Sequence, residues 1–220
     1  MLQGNLSYVE DCPHLPNLND SKLKKQEYHI KTAVIIGGGK TAINHNEAVI
    51  EYSAGENALI IHSSLKNVES YKDYDGSQVA CLVGNEASKM GNAEKDVNKI
   101  KAFIVSSSSS TEQQLPEPWQ NKAFSVDTLW PTSNKERHSD ESPLNLSLSI
   151  ACEMKVEKVL LVGFDGYPAE KVETKALAEE VQFTIDRFLN NYPKITLCSI
   201  TQTLYKVPQS SVYAWLGNKE

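Results

Sequence analysis

The chain has no excess of positive charge. Lys and Arg number 22 against 28 Asp and Glu, a formal net charge of -6, and the two signs are interleaved along the sequence. Nucleic-acid backbones and anionic membranes are held by clustered positive surface, so neither is an expected partner. No apolar run approaches the ~20 residues of a membrane span, and the opening MLQGNLSYVEDCPHLPNLND lacks the basic-then-apolar order of a secretory signal. Cysteine is sparse: Cys12, Cys81, Cys152 and Cys198 stand far apart without a C-x-x-C, three of them inside apolar runs. That usage predicts reduced, mostly buried thiols in a cytoplasmic protein.

Catalytic signatures are also missing. There is no G-x-S-x-G elbow and no H-E-x-x-H, and His14, His29, His45, His62 and His138 are dispersed. The pattern supplies no catalytic set, no metal-spaced His/Cys cluster and no call for a cofactor.

What is present is ordinary globular material. The 220 residues are 40% hydrophobic and 23% charged, enough for one sizeable core. Residues 1–31 hold prolines and scattered asparagines with little periodicity and read as a linker or surface arm, of the kind found on a piece of a longer chain. From residue 32 onward short apolar runs follow one another: AVIIG (33–37), ALIIH (58–62), VACLV (79–83), AFIVS (102–106), VLLVG (159–163) and ITLCSI (195–200). Continuous β-branched runs of this length predict strands covered on both faces.

Two intervening segments carry helical spacing. In ESPLNLSLSIACEMKV, Ser142 is placed to cap, Pro143 to open the helix, and Leu144, Leu148, Ala151 and Cys152 to share a face. In AEKVETKALAEEVQFTIDRFLNNY, Val172, Leu177, Val181, Ile185, Phe188 and Leu189 form a stripe. Strands alternating with helices predict a single α/β Rossmann-like domain over 32–220, its sheet mostly parallel and flanked by helices. The runs Ser106–Ser110 and Pro131–Ser142 read as loops.

The chemistry concentrates at two glycine turns. In VIIGGGKTAINH (34–45) a Walker A loop would require glycine at position 34, where the chain has Val34 inside a strand. The looser dinucleotide spacing is met by Gly37, Gly39 and Ala42, but the second strand ends in His62, Ser63 and Ser64, without the acid that would hold a ribose. What remains is an anion-binding turn of exposed N–H groups over Gly37, Gly38, Gly39, Lys40 and Thr41, with Ser63 from the neighbouring strand and Thr41 or Asn44 as helix caps. The alternative is a tight turn with nothing bound. In VLLVGFDGYP (159–168) a second strand breaks into a loop carrying Asp165 and Tyr167. Asp165 is expected at the same sheet edge, either accepting from ligand hydroxyls or bracing the first turn.

GFDGYP (163–168), the ending CSITQTLYKVPQSSVYAWL (198–216) and the opening AVIIGGGKTAINHNEAVIEY (33–52) resemble the C-terminal domain of bacterial 4-hydroxy-2-oxovalerate aldolase-like proteins of surface-polysaccharide loci. In that family an HMG-CoA lyase-like barrel comes first and a Rossmann-like module follows. Aldolase chemistry of this kind uses a divalent metal held by Asp and an H-x-H pair in a (β/α)₈ barrel, and no H-x-H occurs in this chain. The resemblance therefore implies an accessory domain without the metal site, with an aldolase barrel as a possible partner domain. The expected ligand is an anionic small molecule, a nucleotide or sugar phosphate. More distantly, 142–167 and 185–200 are similar to bacterial lipooligosaccharide sialyltransferases. A glycosyltransferase reading would need His45 or His138 as base. A protein-docking reading would use the apolar tail Val212 to Leu216.

Overall fold

The computed structural model describes residues 30–83, 97, 99–107, 121–130, 142–167 and 172–217. Most of the expected arm, most of the serine run, residues 131–141 of the second loop, Cys12, His14, His29 and His138 lie outside them. Ser106, shared by the expected AFIVS strand and the expected serine loop, closes the strand and is buried.

Seven strands form one sheet: β1 (Thr32–Ile36), β2 (Leu59–His62), β3 (Gln78–Cys81), β4 (Ile100–Ser106), β5 (Ala123–Val126), β6 (Lys158–Val162) and β7 (Thr196–Ser199). Their order is β5-β4-β3-β2-β1-β6-β7, and every pairing is parallel. The fold is a single Rossmann-like α/β domain, as the continuous apolar runs predict. The sequence pattern marked six of these strands and missed β5, whose AFSV is short and interrupted by a serine.

Alternation along each strand divides the core. Ala33, Ile35, Leu59, Ile61, Val159 and Leu161 face one helical layer, and Val34, Ile36, Ile60, Leu160 and Val162 face the other. The first layer holds α3 (Pro143–Glu153) and α4 (Val172–Asn191). The second holds α1 (Thr41–Asn44), α2 (Asn46–Glu56) and α5 (Val212–Gly217), joined over β2–β4 by a 3₁₀ helix, Leu65–Tyr71.

α3 departs from the expected one-sided stripe: every residue from Leu144 to Ala151 is buried, because the helix is packed against β3, β5 and α4 together. Its serines are accommodated by bonding back one turn, Ser147 Oγ to Pro143 O and Ser149 Oγ to Asn145 O, both at 2.8 Å. Pro143 is the first helical residue, and Ser142 holds the capping position in extended conformation without a side-chain cap bond. In α4, Ile185 and Phe188 are buried, Val181 and Leu189 half-buried, and Leu177 is exposed, so the stripe is shorter than expected.

The sequence order of the strands reverses beside β1. Strands β2 to β5 extend to one side of it and β6 and β7 to the other. The loops leaving β1 and β6 therefore diverge at their carboxyl ends, the position at which open α/β sheets form a crevice.

Candidate functional site

The two glycine turns meet at that reversal. Gly37 N–H donates to Val162 O and Gly39 N–H to Gly163 O, both at 2.8 Å, carrying the β1–β6 ladder past the ends of the strands. The Asp165 carboxylate accepts from the Thr41 backbone N–H (3.2 Å) and from the Thr41 hydroxyl. Asp165 thus makes the bracing contact. It also satisfies the first orphan N–H of α1, so the cap comes from across the crevice. Neither Thr41 nor Asn44 caps its own helix as expected: Lys40 holds the capping position of α1 and His45 that of α2, without side-chain cap bonds. Thr41 is the first residue inside α1, which leaves its hydroxyl directed at Asp165.

The three glycines have different reasons to be there. A Cβ on Gly37 would lie 2.6 Å from Gly163 O, and one on Gly39 would lie 2.5 Å from both Asp165 Cγ and Gly163 O. Both are required by the close approach of the β6 loop. Gly163 (φ +72°) and Gly166 (φ +98°) occupy the left-handed region. Gly38 meets neither condition. Its φ lies outside that region, and its nearest neighbours, Ser64 Oγ at 3.5 Å and the Lys66 side chain at 3.7 Å, leave ordinary room for a Cβ.

Among the described residues, the N–H groups of Gly38 and Lys40 have no hydrogen-bond partner. Lys40 is exposed and Gly38 half-buried. The turn is held from beneath by Asn67, whose Nδ2 donates to Gly37 O (2.9 Å) and Gly39 O (3.0 Å), and by Tyr71, whose hydroxyl donates to Ala42 O (2.8 Å). Burial pushes the Tyr71 phenol upward, so it remains a donor. Asn67 Oδ1 is buried without a partner among the described residues.

Ser63 is 6% exposed and its N–H donates to Ile36 O at 2.9 Å, so the serine beside Gly38 is Ser64. The sequence reading places Ser63, and not its neighbour Ser64, at this edge, and marks neither Lys66 nor Asn67. The available signal was positional, since β2 neighbours β1 and its loop shares the same edge. His62 faces the core: its ring is 2.8 Å from Gln78 Oε1, with Nδ1 unpartnered among the described residues, and burial pushes the imidazole down to about 4.

Tyr167 and Leu204 are exposed on the other flank of Asp165. The β7–α5 loop is stitched to the β6 loop by Leu204 N–H to Asp165 O (3.1 Å), Thr203 Oγ1 to Phe164 O (2.5 Å) and Gly163 N–H to Thr201 Oγ1 (3.1 Å).

The remaining sequence candidates lie elsewhere. His45 has Nδ1 3.3 Å from the Tyr213 hydroxyl and lines a groove of about 400 Å³ with Glu47, Glu51, Tyr213 and Leu216. No hydrogen bond or ring contact joins it to Gly38 or Asp165. The tail Val212 to Leu216 forms most of α5 and packs on its own domain: Val212 is buried, and Trp215 stands edge-on to Tyr52 at 6.0 Å beneath the Lys158 ammonium. Among the described residues no cluster of three or more His, Cys, Asp or Glu is placed to hold a metal ion, and no helix is long and apolar enough to cross a membrane.

The fold and site define a Rossmann-like α/β domain with a braced glycine turn at its topological switch point. No family model matches the chain, and no curated protein matches it.

Proposed function

We propose that the domain binds an anionic small molecule, a nucleotide or sugar phosphate, at the carboxyl edge of β1 and β2. In this reading Gly38 and Lys40 supply N–H donors, Ser64 a hydroxyl, and Lys40 and Lys66 positive charge. Gly37, Gly39, Thr41 and Asp165 hold the turn in shape, and the positive side chains offset the Asp165 carboxylate. Following the resemblance of its glycine turns and C-terminal segment, the domain serves as an accessory module of an aldolase-like protein of surface-polysaccharide biosynthesis, without the aldolase metal site.

One observation carries the binding half. Gly38 is the glycine of the turn for which packing and backbone conformation supply no reason, and it sits at the strand reversal beside two lysines, with its own N–H and that of Lys40 unpartnered among the described residues. Backbone donors at such a turn suit phosphate because a missing side chain admits the ligand to the N–H groups.

Calorimetric titration of the full chain with cytidine 5′-monophosphate and glucose 1-phosphate tests this. Binding is expected for the wild type and for Gly38→Ala at least in part, and is expected to be lost in Gly38→Asp, whose carboxylate occupies the same space with the wrong charge. No heat at millimolar ligand, or equal binding by Gly38→Asp, overturns the proposal.

A further inference from the structure

We infer that the ligand of this edge carries an aromatic base, seated on a shelf made by Tyr167 and Leu204; the inference rests on the anion-binding reading and selects nucleotides over sugar phosphates. Leu204 is 74% exposed and Tyr167 43% exposed. Single exposed apolar residues need no explanation, but these two follow the adjacent strands β6 and β7 at the ligand edge, and the leucine is held in place.

Leu204 is fixed by its N–H bond to Asp165 O, and its side chain lies over Gly166: a Cβ on Gly166 would come within 2.7 Å of Leu204 Cβ and 3.1 Å of its Cγ and Cδ1. Gly166, at φ +98°, therefore lets the leucine lie down on the β6 loop. Tyr167 follows directly. Tyr205, the residue after Leu204, is buried, with its N–H bonded to Thr203 Oγ1 at 3.1 Å. Leu204 thus rests on a hydrogen-bonded base.

The strand order gives the shelf its relation to the anion subsite. Ser64 and Lys66 follow β2, Gly38 and Lys40 follow β1, Asp165 and Tyr167 follow β6, and Leu204 follows β7, which are four consecutive strands. At about 4.8 Å per strand, the positive end and the apolar end lie on the order of 10 Å apart along one rim. A sugar phosphate carries its ring directly on the phosphate and edges that ring with hydroxyls, so it spans the rim from Gly38 to Leu204 poorly. A nucleotide has a flat ring at one end and a phosphate at the other, and the Asp165–Thr41 contact lies between, where the ribose would pass. Each subsite is sequence-tolerant: a ring stacks on a tyrosine or leucine through its face, so the shelf selects for a base without naming which one.

The test titrates the full chain with cytidine 5′-monophosphate, adenosine 5′-monophosphate, ribose 5-phosphate and cytidine, for wild type, Leu204→Ser and Tyr167→Ala. At least one nucleotide is expected to bind about tenfold or more tightly than ribose 5-phosphate, the range that base stacking supplies. Either substitution should bring the nucleotide down toward ribose 5-phosphate while leaving the latter unchanged. Both side chains are exposed, so circular dichroism and melting should be unaltered. Equal affinities for nucleotide and ribose 5-phosphate, or full nucleotide affinity in both variants, overturn the shelf while leaving the anion site intact. Binding of cytidine alone, with neither phosphate ester adding to it, keeps the shelf and removes the anion reading; no binding by any of the four removes both.

Discussion

The Asp165 carboxylate grips Thr41 at two points, the backbone N–H and the hydroxyl, across 124 residues of sequence. This pair joins the β6 loop to the first turn of α1 and holds the switch point closed. Asp165→Ala leaves the N–H without its acceptor and the hydroxyl with only Thr201 Oγ1, 3.2 Å away, which costs about 1–3 kcal/mol. Chemical denaturation should show it as a lower midpoint with unchanged slope. A double-mutant cycle with Thr41→Val, which keeps the backbone N–H bond, should return a coupling of about 0.5 kcal/mol or more; additive effects would mean that the hydroxyl half of the contact contributes nothing to stability.

The three glycines of the first turn should separate cleanly on substitution by alanine. Gly37→Ala and Gly39→Ala drive a Cβ into Gly163 O, backbone that cannot swing aside. Overpacking of this kind costs about 1–3 kcal/mol. Gly38→Ala meets only ordinary contacts and should stay within about 0.5 kcal/mol of wild type. Thermal melts of the three variants give the order directly, and a Gly38→Ala as unstable as Gly39→Ala contradicts the geometry.

His62 should make stability depend on pH. Burial, opposed in part by the Gln78 hydrogen bond, lowers its pKa to about 4 in the folded protein, against about 6.5 in an unfolded chain. Above pH 6.5 both states hold a neutral ring. Between 6.5 and 4 the unfolded state takes up a proton that the folded state refuses, so stability falls as pH falls through this window, by about 3 kcal/mol in total. Unfolding midpoints measured from pH 7.5 to 4.5 should show the decline, and His62→Gln should flatten it. A variant with the same slope as wild type would assign the dependence to other groups.

The thiols of Cys81, Cys152 and Cys198 should react slowly in the native state. Burial pushes Cys81 to about 12 and, with Glu153 nearby, Cys152 to about 11; it also raises Cys198. Only the thiolate is nucleophilic, so at pH 8 these three should resist iodoacetamide until denaturant is added. Peptide mass mapping resolves each site separately. Rapid native labelling of Cys81 would contradict its burial.

The helices and strands were legible to different degrees. Runs such as VIIG and LLVG mark strands covered on both faces, and that is what the parallel sheet requires of them. β5 escaped because AFSV is an edge strand, where one flank is open and the demand for unbroken apolar sequence relaxes. α3 was located correctly but assigned one apolar face; in the protein its serines are buried as well and bonded back along the helix. At the site, both glycine turns and Asp165 stood out through their residue types. Ser64, Lys66 and Asn67 did not, since nothing in HSSLKNVE announces that it packs beneath a turn some thirty residues earlier.

Composition and run length alone determined that this chain forms a parallel α/β layer with glycine turns after two of its strands, because burial on both faces dictates which side chains a strand can carry. The order in which the strands pair was decided only in three dimensions. That order sets the reversal between β1 and β6, and with it the reason for each glycine: the atoms that exclude a side chain at Gly37 and Gly39 belong to a loop distant in sequence, and no local pattern records them. The freedom left at Gly38 is likewise a property of its spatial neighbours.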